Sequence, residues 1–255
     1  MNRIPARTGW EWIQAGFTIF KKRPFFLVNL LFLYMMAVVL VTMVPMIGQM
    51  LPVFTIAIFT FIFMTATLMV EQEQPLTFGA LFAALDRVTL FRLFALSGCY
   101  IVFGMIVAGI SAVLDDGALF ALVMSREGVP QLTDEQMTRA GYMALAIIVL
   151  YIPFFMLTWF AAPLIGWRQM GVPKAMFYSF FTVAHNWRPF LVYVLGFAVV
   201  GFIIPTLVGG IIGPMLGGVV GAFVLYIISV TVTTVLYCSF YPTYRSIFGI
   251  PVLGE

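Results

Sequence analysis

The residues best suited to chemistry lie in segment 183–188, which holds the one histidine of the chain, His185, close to Arg188. An enzyme acting on lipid would have to combine these residues with Asp86 and Arg87, which come from a separate connection between apolar segments. His185 has no cysteine, carboxylate or second histidine beside it in the sequence, and no nucleophile-elbow pattern accompanies it. Contact with a lipid headgroup is the simpler role, so we expect no catalytic residue, no metal and no cofactor.

Sulfur ligands are the other candidate chemistry, because the chain has 16 methionines and two cysteines. Met43, Met46 and Met50 recur at approximately helical spacing, and thioethers suit Cu(I). No cysteine or histidine lies beside this group, so we interpret these methionines as pliable packing residues. Cys99 and Cys238 fall inside apolar segments and have the spacing of neither a metal site nor a disulfide framework.

The elements that hold these residues are apolar helices. Hydrophobic residues make up 63% of the chain, charged residues make up 9%, and the mean hydropathy is +1.09. A soluble domain would carry about 25% charged residues. Apolar runs of the length that crosses a bilayer predict an all-α integral membrane protein with six transmembrane helices. The predicted spans are 25–45, 52–70, 91–113, 141–166, 190–212 and 215–240.

The positive charges predict the orientation of these spans. With six spans, eleven of the thirteen Lys and Arg residues fall on the side that holds both termini, and Arg126 and Arg139 fall on the other. The positive-inside rule therefore predicts a bacterial inner-membrane protein with cytoplasmic N and C termini and a periplasmic loop at 114–140. The chain has no soluble basic domain, so we expect no nucleic-acid partner.

Each pair of spans follows a segment with the pattern of an amphipathic helix lying at the cytoplasmic-side interface. The first begins with the capping-box sequence Thr-Gly-Trp-Glu at 8–11, and the others begin near Pro75 and Pro173. We predict one membrane domain, 1–255, built from three hairpins with internal repeats at 8–70, 75–166 and 173–240. Candidate contacts to lipid headgroups are Trp10, Lys21, Lys22, Arg23, Arg87, His185, Trp187 and Arg188.

The first amphipathic segment has aromatic and aliphatic residues at helical spacing, and we expect this face to contact lipid. These residues are Trp10, Ile13, Phe17 and Phe20. The first and third copies match best, since Arg-Pro-Phe stands at both 23–25 and 188–190. All copies enter from the same side, which predicts parallel repeats and not the inverted repeats common in secondary transporters.

The interiors of the predicted spans carry no Asp, Glu, Lys, Arg or His. Ion-coupled transporters normally need such a group inside the membrane, so this composition argues against that class. The hydroxyl residues between Ser229 and Thr234 are expected to bond to their own or a neighbouring helix.

Glycines recur at every fourth position near the end of the fifth span. Pro205 and Pro214 match Pro45 and Pro52 of the first hairpin and are expected to bracket the outer turn of the third. The chain is expected to break at Gly213-Pro214, because a residue before proline resists helix. The glycines would then allow close packing where span five ends and span six begins. The candidate helix-packing residues are Gly209, Gly213, Gly217 and Gly221.

Several short motifs together resemble a family of uncharacterised proteobacterial inner-membrane proteins of the YciC-like type. They are Trp10 and Phe17, Arg-Pro at 23–24, Trp-Phe-Ala-Ala-Pro at 159–163, and Asn-Trp-Arg-Pro-Phe at 186–190. The resemblance covers most of the chain except the 114–140 loop. It implies a six-helix inner-membrane fold and brings no catalytic residues.

The sequence favours a non-enzymatic multipass protein that acts through helix, lipid and protein contacts. Such a protein would be a scaffold, an assembly factor or an accessory subunit, with membrane lipids and a protein partner or second copy as its partners. The alternative is a carrier or conduit for lipids or other hydrophobic molecules that is not coupled to ions. A cavity or lateral opening between hairpins would favour the alternative, and a closed bundle would count against it.

Overall fold

The computed structural model describes residues 4–44, 48, 51–114, 133–203, 205–210 and 217–251. Within these ranges every regular element is helical, and six helical segments are long and apolar enough to cross a membrane. The prediction of an all-α chain with this number of spans is confirmed. The helices are α1 (Thr8–Lys22), α2 (Pro24–Thr42), α3 (Leu51–Glu71), α4 (Phe78–Ala83), α5 (Arg87–Leu114), α6 (Asp134–Thr158), α7 (Ala161–Arg168), α8 (Val172–His185), α9 (Trp187–Ala198) and α10 (Gly218–Phe248).

The helix α3 lies at the centre of the bundle. In its most apolar stretch 67% of the residues are buried, whereas the corresponding stretches of the other spans are 12–22% buried. Burial is concentrated at the end where α2, α5 and α9 begin and where α3 and α10 finish. The helices α1, α4, α7 and α8 also lie there, and we call this the helix-covered end.

The predicted fourth span, 141–166, is divided into α6 and α7. Pro163 has no N–H, and its ring would clash with the carbonyl of the residue four positions earlier in a continuous helix. The Ser179 hydroxyl on α8 occupies the break, accepting from the Phe160 N–H at 2.9 Å and donating to the Met156 carbonyl at 2.7 Å. A neighbouring helix therefore satisfies the backbone groups that the break releases.

The fifth span continues past Pro205, which was predicted to border the outer turn of the third hairpin, and the predicted break at Gly213-Pro214 lies outside the described residues. A π-helical turn, Val199–Ile203, continues α9, and residues 205–210 are helical again. The wider π turn precedes the proline, which cannot donate the backbone hydrogen bond of a regular helix. The span runs to Gly210, and Pro214 lies outside the described residues.

One face of α1 is buried against α9 and α10, which corrects the expectation that its apolar face meets lipid. Among the residues assigned to the lipid face, Ile13 and Phe20 are buried, while Trp10 and Phe17 are exposed. The buried face repeats every three or four residues, and α1 therefore has two apolar faces. The residues of the buried face are Gly9, Trp12, Ile13, Gly16, Ile19 and Phe20.

The predicted capping box at the start of α1 is also wrong. Arg7 is already in helical conformation at the N-cap position, and its side chain makes no capping bond. The helix thus starts one residue before the position that would let Thr8 act as the cap. The Glu11 carboxylate instead lies 3.5 Å from the Arg7 guanidinium.

The close approach of α1 to α10 yields a stability test. A methyl group at Gly16 would stand 2.7 Å from the Cα of Ser239, which is backbone and has no free space to move into. We expect Gly16→Ala to lower the free energy of unfolding by about 1–3 kcal/mol. Thermal unfolding in a mild detergent measures this change.

The matched control is Gly98→Ala on α5, where an added methyl group meets nothing within 4 Å. Alanine costs less conformational entropy than glycine in a helix, so this variant should be neutral or more stable by up to about 1 kcal/mol. Equal melting temperatures for the two variants would show that α1 does not depend on this contact.

Candidate functional site

An aromatic cluster joins α1, α6, α9 and α10 at the helix-covered end. The Trp12 ring lies 5.2 Å from Phe190 and 5.7 Å from Tyr193, measured between centroids. Trp159, at the end of α6, lies 5.8 Å from Phe190 and 5.0 Å from Phe240. These pairs are edge-on, the arrangement that the ring quadrupoles favour. Aromatic packing therefore holds helices distant in sequence at this end.

The polar atoms of these rings are satisfied by hydroxyls of α10. The Trp12 indole donates to Ser246 Oγ at 3.0 Å, and the Trp159 indole donates to Thr243 Oγ1 at 3.3 Å. The Tyr193 hydroxyl and Ser239 Oγ are 2.6 Å apart. A buried indole N–H or phenol without a partner would be destabilising, so the serine and threonine positions on α10 fix where the rings lie.

Charged groups surround this cluster at the ends of the helices. The Arg245 guanidinium on α10 is paired with the Glu71 carboxylate on α3, and both are only partly exposed. Arg168 donates to the Phe248 carbonyl at 2.9 Å and lies over the Phe248 ring. The pair between Glu71 and Arg245 is not among the contacts predicted from the sequence, although each residue lies at the end of an apolar run, where a charge becomes costly to bury.

The structure brings together three predicted headgroup contacts: His185, Trp187 and Arg188. They line a pocket of about 500 Å³ between the junction of α8 and α9 and the segment 4–6. The Arg188 guanidinium lies 5.6 Å from the Trp187 ring centroid. The buried Asn186 amide holds the segment in place by accepting from the Ile4 N–H at 3.4 Å. The pocket offers the cationic Arg188 and the aromatic Trp187 to an anion.

Asp86 and Arg87 do not line this pocket. Asp86 caps α5, where its Oδ1 accepts from the Thr89 N–H at 2.9 Å. Hydrogen bonds from the side chain and backbone of Thr89 lower the pKa of Asp86 below its ordinary value. The cap therefore stabilises α5 above the ordinary carboxyl pKa, and this contribution is lost as the pH falls through the lowered value.

The other predicted headgroup contacts lie along α1 and its junction with α2. Trp10 is 43% exposed, and Lys21 Nζ stands 4.7 Å from the Phe17 ring centroid. Lys22 Nζ is 3.6 Å from the Glu73 carboxylate, which follows α3. Arg23 is exposed at the turn between the two helices. These basic groups border the region where α2, α3 and α4 meet.

An apolar groove of about 280 Å³ opens laterally where α2, α3 and α4 meet. Its walls are aliphatic and aromatic side chains, with a hydroxyl pair, Tyr34 and Thr55, bonded to each other at 3.3 Å. The Tyr34 and Phe59 rings stack at 3.7 Å between centroids. The lining residues are Leu30, Leu33, Tyr34, Ala37, Thr55, Ile58, Phe59, Ile62, Phe78, Leu81 and Phe82.

The candidate packing glycines do not share one environment. A methyl group at Gly209 would lie 3.0 Å from the Leu225 side chain on α10, so the helices approach closely there. Gly217 has φ +77° and open space around it, and it provides the left-handed conformation that starts α10. Gly221 is buried, and Gly213 lies outside the described residues.

Hydroxyls within the spans bond to carbonyls. Thr234 Oγ1 donates to the Val230 carbonyl one turn earlier at 2.7 Å. Ser97 Oγ on α5 lies 3.0 Å from the Phe54 carbonyl of α3. No group of three or more His, Cys, Asp or Glu side chains within the described ranges is placed to hold a metal ion.

The fold and the apolar lengths of its helices define a multipass α-helical membrane protein. The chain is 31% identical to a probable inner membrane protein of Burkholderia thailandensis, and the match covers 98% of this chain and 94% of that protein. The chain belongs to the same family, and it is an inner-membrane protein. No protein-family model matches the chain, and no solved structure is significantly similar to it.

The ion pair between Arg245 and Glu71 allows a test of what stabilises the helix-covered end. Arg245→Gln leaves a partly buried carboxylate without its charged partner, and we expect a loss of about 1–3 kcal/mol in the free energy of unfolding. Removing the exposed Arg7 partner of Glu11 by Arg7→Gln should change it by less than about 1 kcal/mol. Thermal unfolding of both variants in the same detergent makes the comparison, and similar losses would contradict a structural role for Arg245.

Proposed function

We propose that this protein is a non-enzymatic membrane scaffold or accessory subunit that acts through contacts of its spans with another membrane protein or a second copy. The observation that supports this most is the uneven packing of the bundle. The helix-covered end has an aromatic and polar interior, whereas the far halves of the spans expose apolar side chains. Examples of these exposed residues are Leu40, Val113, Leu145, Phe202 and Phe223.

The exposed half of α5 has the features of a helix-contact surface. Gly104 and Gly109 are exposed there, and a methyl group at either would meet nothing within 4 Å. Small residues let a second helix approach closely, and such contacts drive helix association in lipid, where burial of apolar surface gives no advantage. Gly109 and the exposed Met105 are four residues apart and so share one face of the helix, and we therefore assign the partner contact to this face of α5.

Site-specific photo-crosslinking tests the partner contact. With a photoreactive amino acid at Met105, we expect one discrete crosslinked protein in native membranes, or a dimer of this chain. Gly109→Leu should reduce that product several-fold, because a bulky side chain on the face that carries Met105 holds the partner helix away. Gly210→Leu is the matched control, since Gly210 also has open space around it. Crosslinks to lipid alone would contradict the scaffold.

We also propose that the six spans form three hairpins and that each hairpin is preceded by an amphipathic helix at the cytoplasmic interface. The short helices α1, α4 and α8 each come before a pair of spans and lie at the helix-covered end. The basic residues Lys22, Arg92, Arg168 and Arg245 lie at this same end, which the positive-inside rule assigns to the cytoplasm. The internal repeats stay a prediction.

Cysteine labelling tests the orientation. In a background with Cys99→Ala and Cys238→Ala, we expect a membrane-impermeant maleimide to label Glu127→Cys when it reaches only the periplasm. Gln74→Cys lies between α3 and α4 and should be labelled only after the inner membrane is opened. The reverse pattern would overturn the proposed orientation, and equal labelling of both sites in closed cells would invalidate the span count.

Transport of a hydrophobic molecule is a second candidate, because the groove beside α2, α3 and α4 opens laterally. The central position of α3 argues against a conduit along the bundle axis. Reconstituted vesicles with a fluorescent phospholipid in one leaflet would distinguish the two functions. Protein-dependent movement of the probe to the other leaflet would favour a carrier, and its absence would favour the scaffold.

A further inference from the structure

We propose that the groove between α2, α3 and α4 is a binding site for one anionic phospholipid. One acyl chain would occupy the groove, and the phosphate would lie against Lys21 and Arg23. This site is on a different surface from the α5 face assigned above, and the inference does not depend on the scaffold role. It assigns a lipid of defined charge to a defined position.

The groove has the chemistry of an acyl-chain site. Leu30, Leu33, Tyr34 and Ala37 recur at intervals of three and four residues, so they form one face of α2. The polar atoms along the groove are the hydroxyls of Tyr34 and Thr55, which bond to each other. Thr55 also donates to the carbonyl of Pro52 at 2.6 Å. No unpaired polar group on these walls opposes an apolar occupant.

The dimensions of the groove favour an acyl chain over a protein helix. An α-helix with its side chains is about 10–12 Å across. The groove has a volume of about 280 Å³, and α4 borders it at one end through Phe78, Leu81 and Phe82. A slender hydrocarbon chain can lie between α2 and α3 within that space, whereas a helix cannot enter it.

Basic residues lie at the end of the groove that α4 borders. The Phe26 ring, one turn before Leu30 on α2, lies 5.3 Å from the Phe78 ring of α4. Arg23 lies almost one further turn toward the same end and is exposed at the start of α2. A chain lying in the groove would therefore leave its headgroup at the turn between α1 and α2.

The charge at this turn matches an anionic headgroup. Lys21, Lys22 and Arg23 are consecutive, and Glu73 neutralises only Lys22. Lys21 is exposed above the Phe17 ring, and Arg23 is exposed beside it in the sequence. Among the described residues no carboxylate pairs with Lys21 or Arg23, so two positive charges are left for a phosphate, and basic residues near a membrane surface favour anionic lipid.

Native mass spectrometry of the full chain provides the test. The protein is reconstituted in vesicles of equal parts phosphatidylglycerol and phosphatidylcholine and released from mild detergent. We expect one retained phosphatidylglycerol per chain. Leu33→Trp should reduce retention roughly tenfold by filling the groove, and Leu40→Trp, also exposed on α2 but outside the groove, should retain the lipid.

The role of charge is tested with the double variant Lys21→Gln and Arg23→Gln. Its control is the double variant Arg7→Gln and Lys174→Gln, which removes the same amount of charge elsewhere. We expect the first pair to lower the preference for phosphatidylglycerol over phosphatidylcholine roughly tenfold and the second to leave it unchanged. If Leu33→Trp lowers the melting temperature, the milder Leu33→Phe replaces it. The proposal is overturned if the groove-filling variant retains as much lipid as Leu40→Trp, or if the protein shows no preference for phosphatidylglycerol. It is also overturned if a second copy of the chain is bound in place of the lipid.

Discussion

The seating of α1 against α9 and α10 is the interaction on which the rest of the helix-covered end depends. Gly9 and Gly16 let the α1 backbone come close to Pro189 and Ser239, and Trp12 then reaches the aromatic rings of α9. In a bilayer the lipid tails are as apolar as the side chains, so helices associate through close packing and polar bonds. An amphipathic helix that supplies both can tie spans together.

The need for close packing and polar bonds also explains why the bundle is unevenly packed. The interior at the helix-covered end is filled by aromatic rings, and the polar atoms of Tyr193, Trp159 and Trp12 are bonded to Ser239, Thr243 and Ser246 of α10. The far halves of the spans have no comparable set of contacts and expose apolar residues that lipid or another membrane protein can cover. Stability and outward contact are thus separated along the membrane normal, which suits a protein that acts by association.

Backbone polar groups must also find hydrogen-bond partners, because a polar group left unpaired in hydrocarbon is destabilising by several kcal/mol. The proline-induced break before α7 is tolerated since Ser179 bonds to both Phe160 and Met156 across it. The pair between Glu71 and Arg245 likewise lets charges sit at the ends of two central spans. Polar residues in this protein serve mainly to complete the packing, and the groove beside α2 is apolar because its hydroxyls are already paired.

The sequence by itself determined the all-helical class, the number of spans and the location of the short helices α1, α4 and α8, because hydropathy and period are local properties. It did not determine which face of α1 is buried, since Trp12 and Phe17 are both large aromatic residues and only contact with α9 and α10 distinguishes them. The pairing of Glu71 with Arg245 joins residues 174 positions apart, and the groove needs three helices in register. Only the tertiary structure decides such features, because they depend on how helices approach one another.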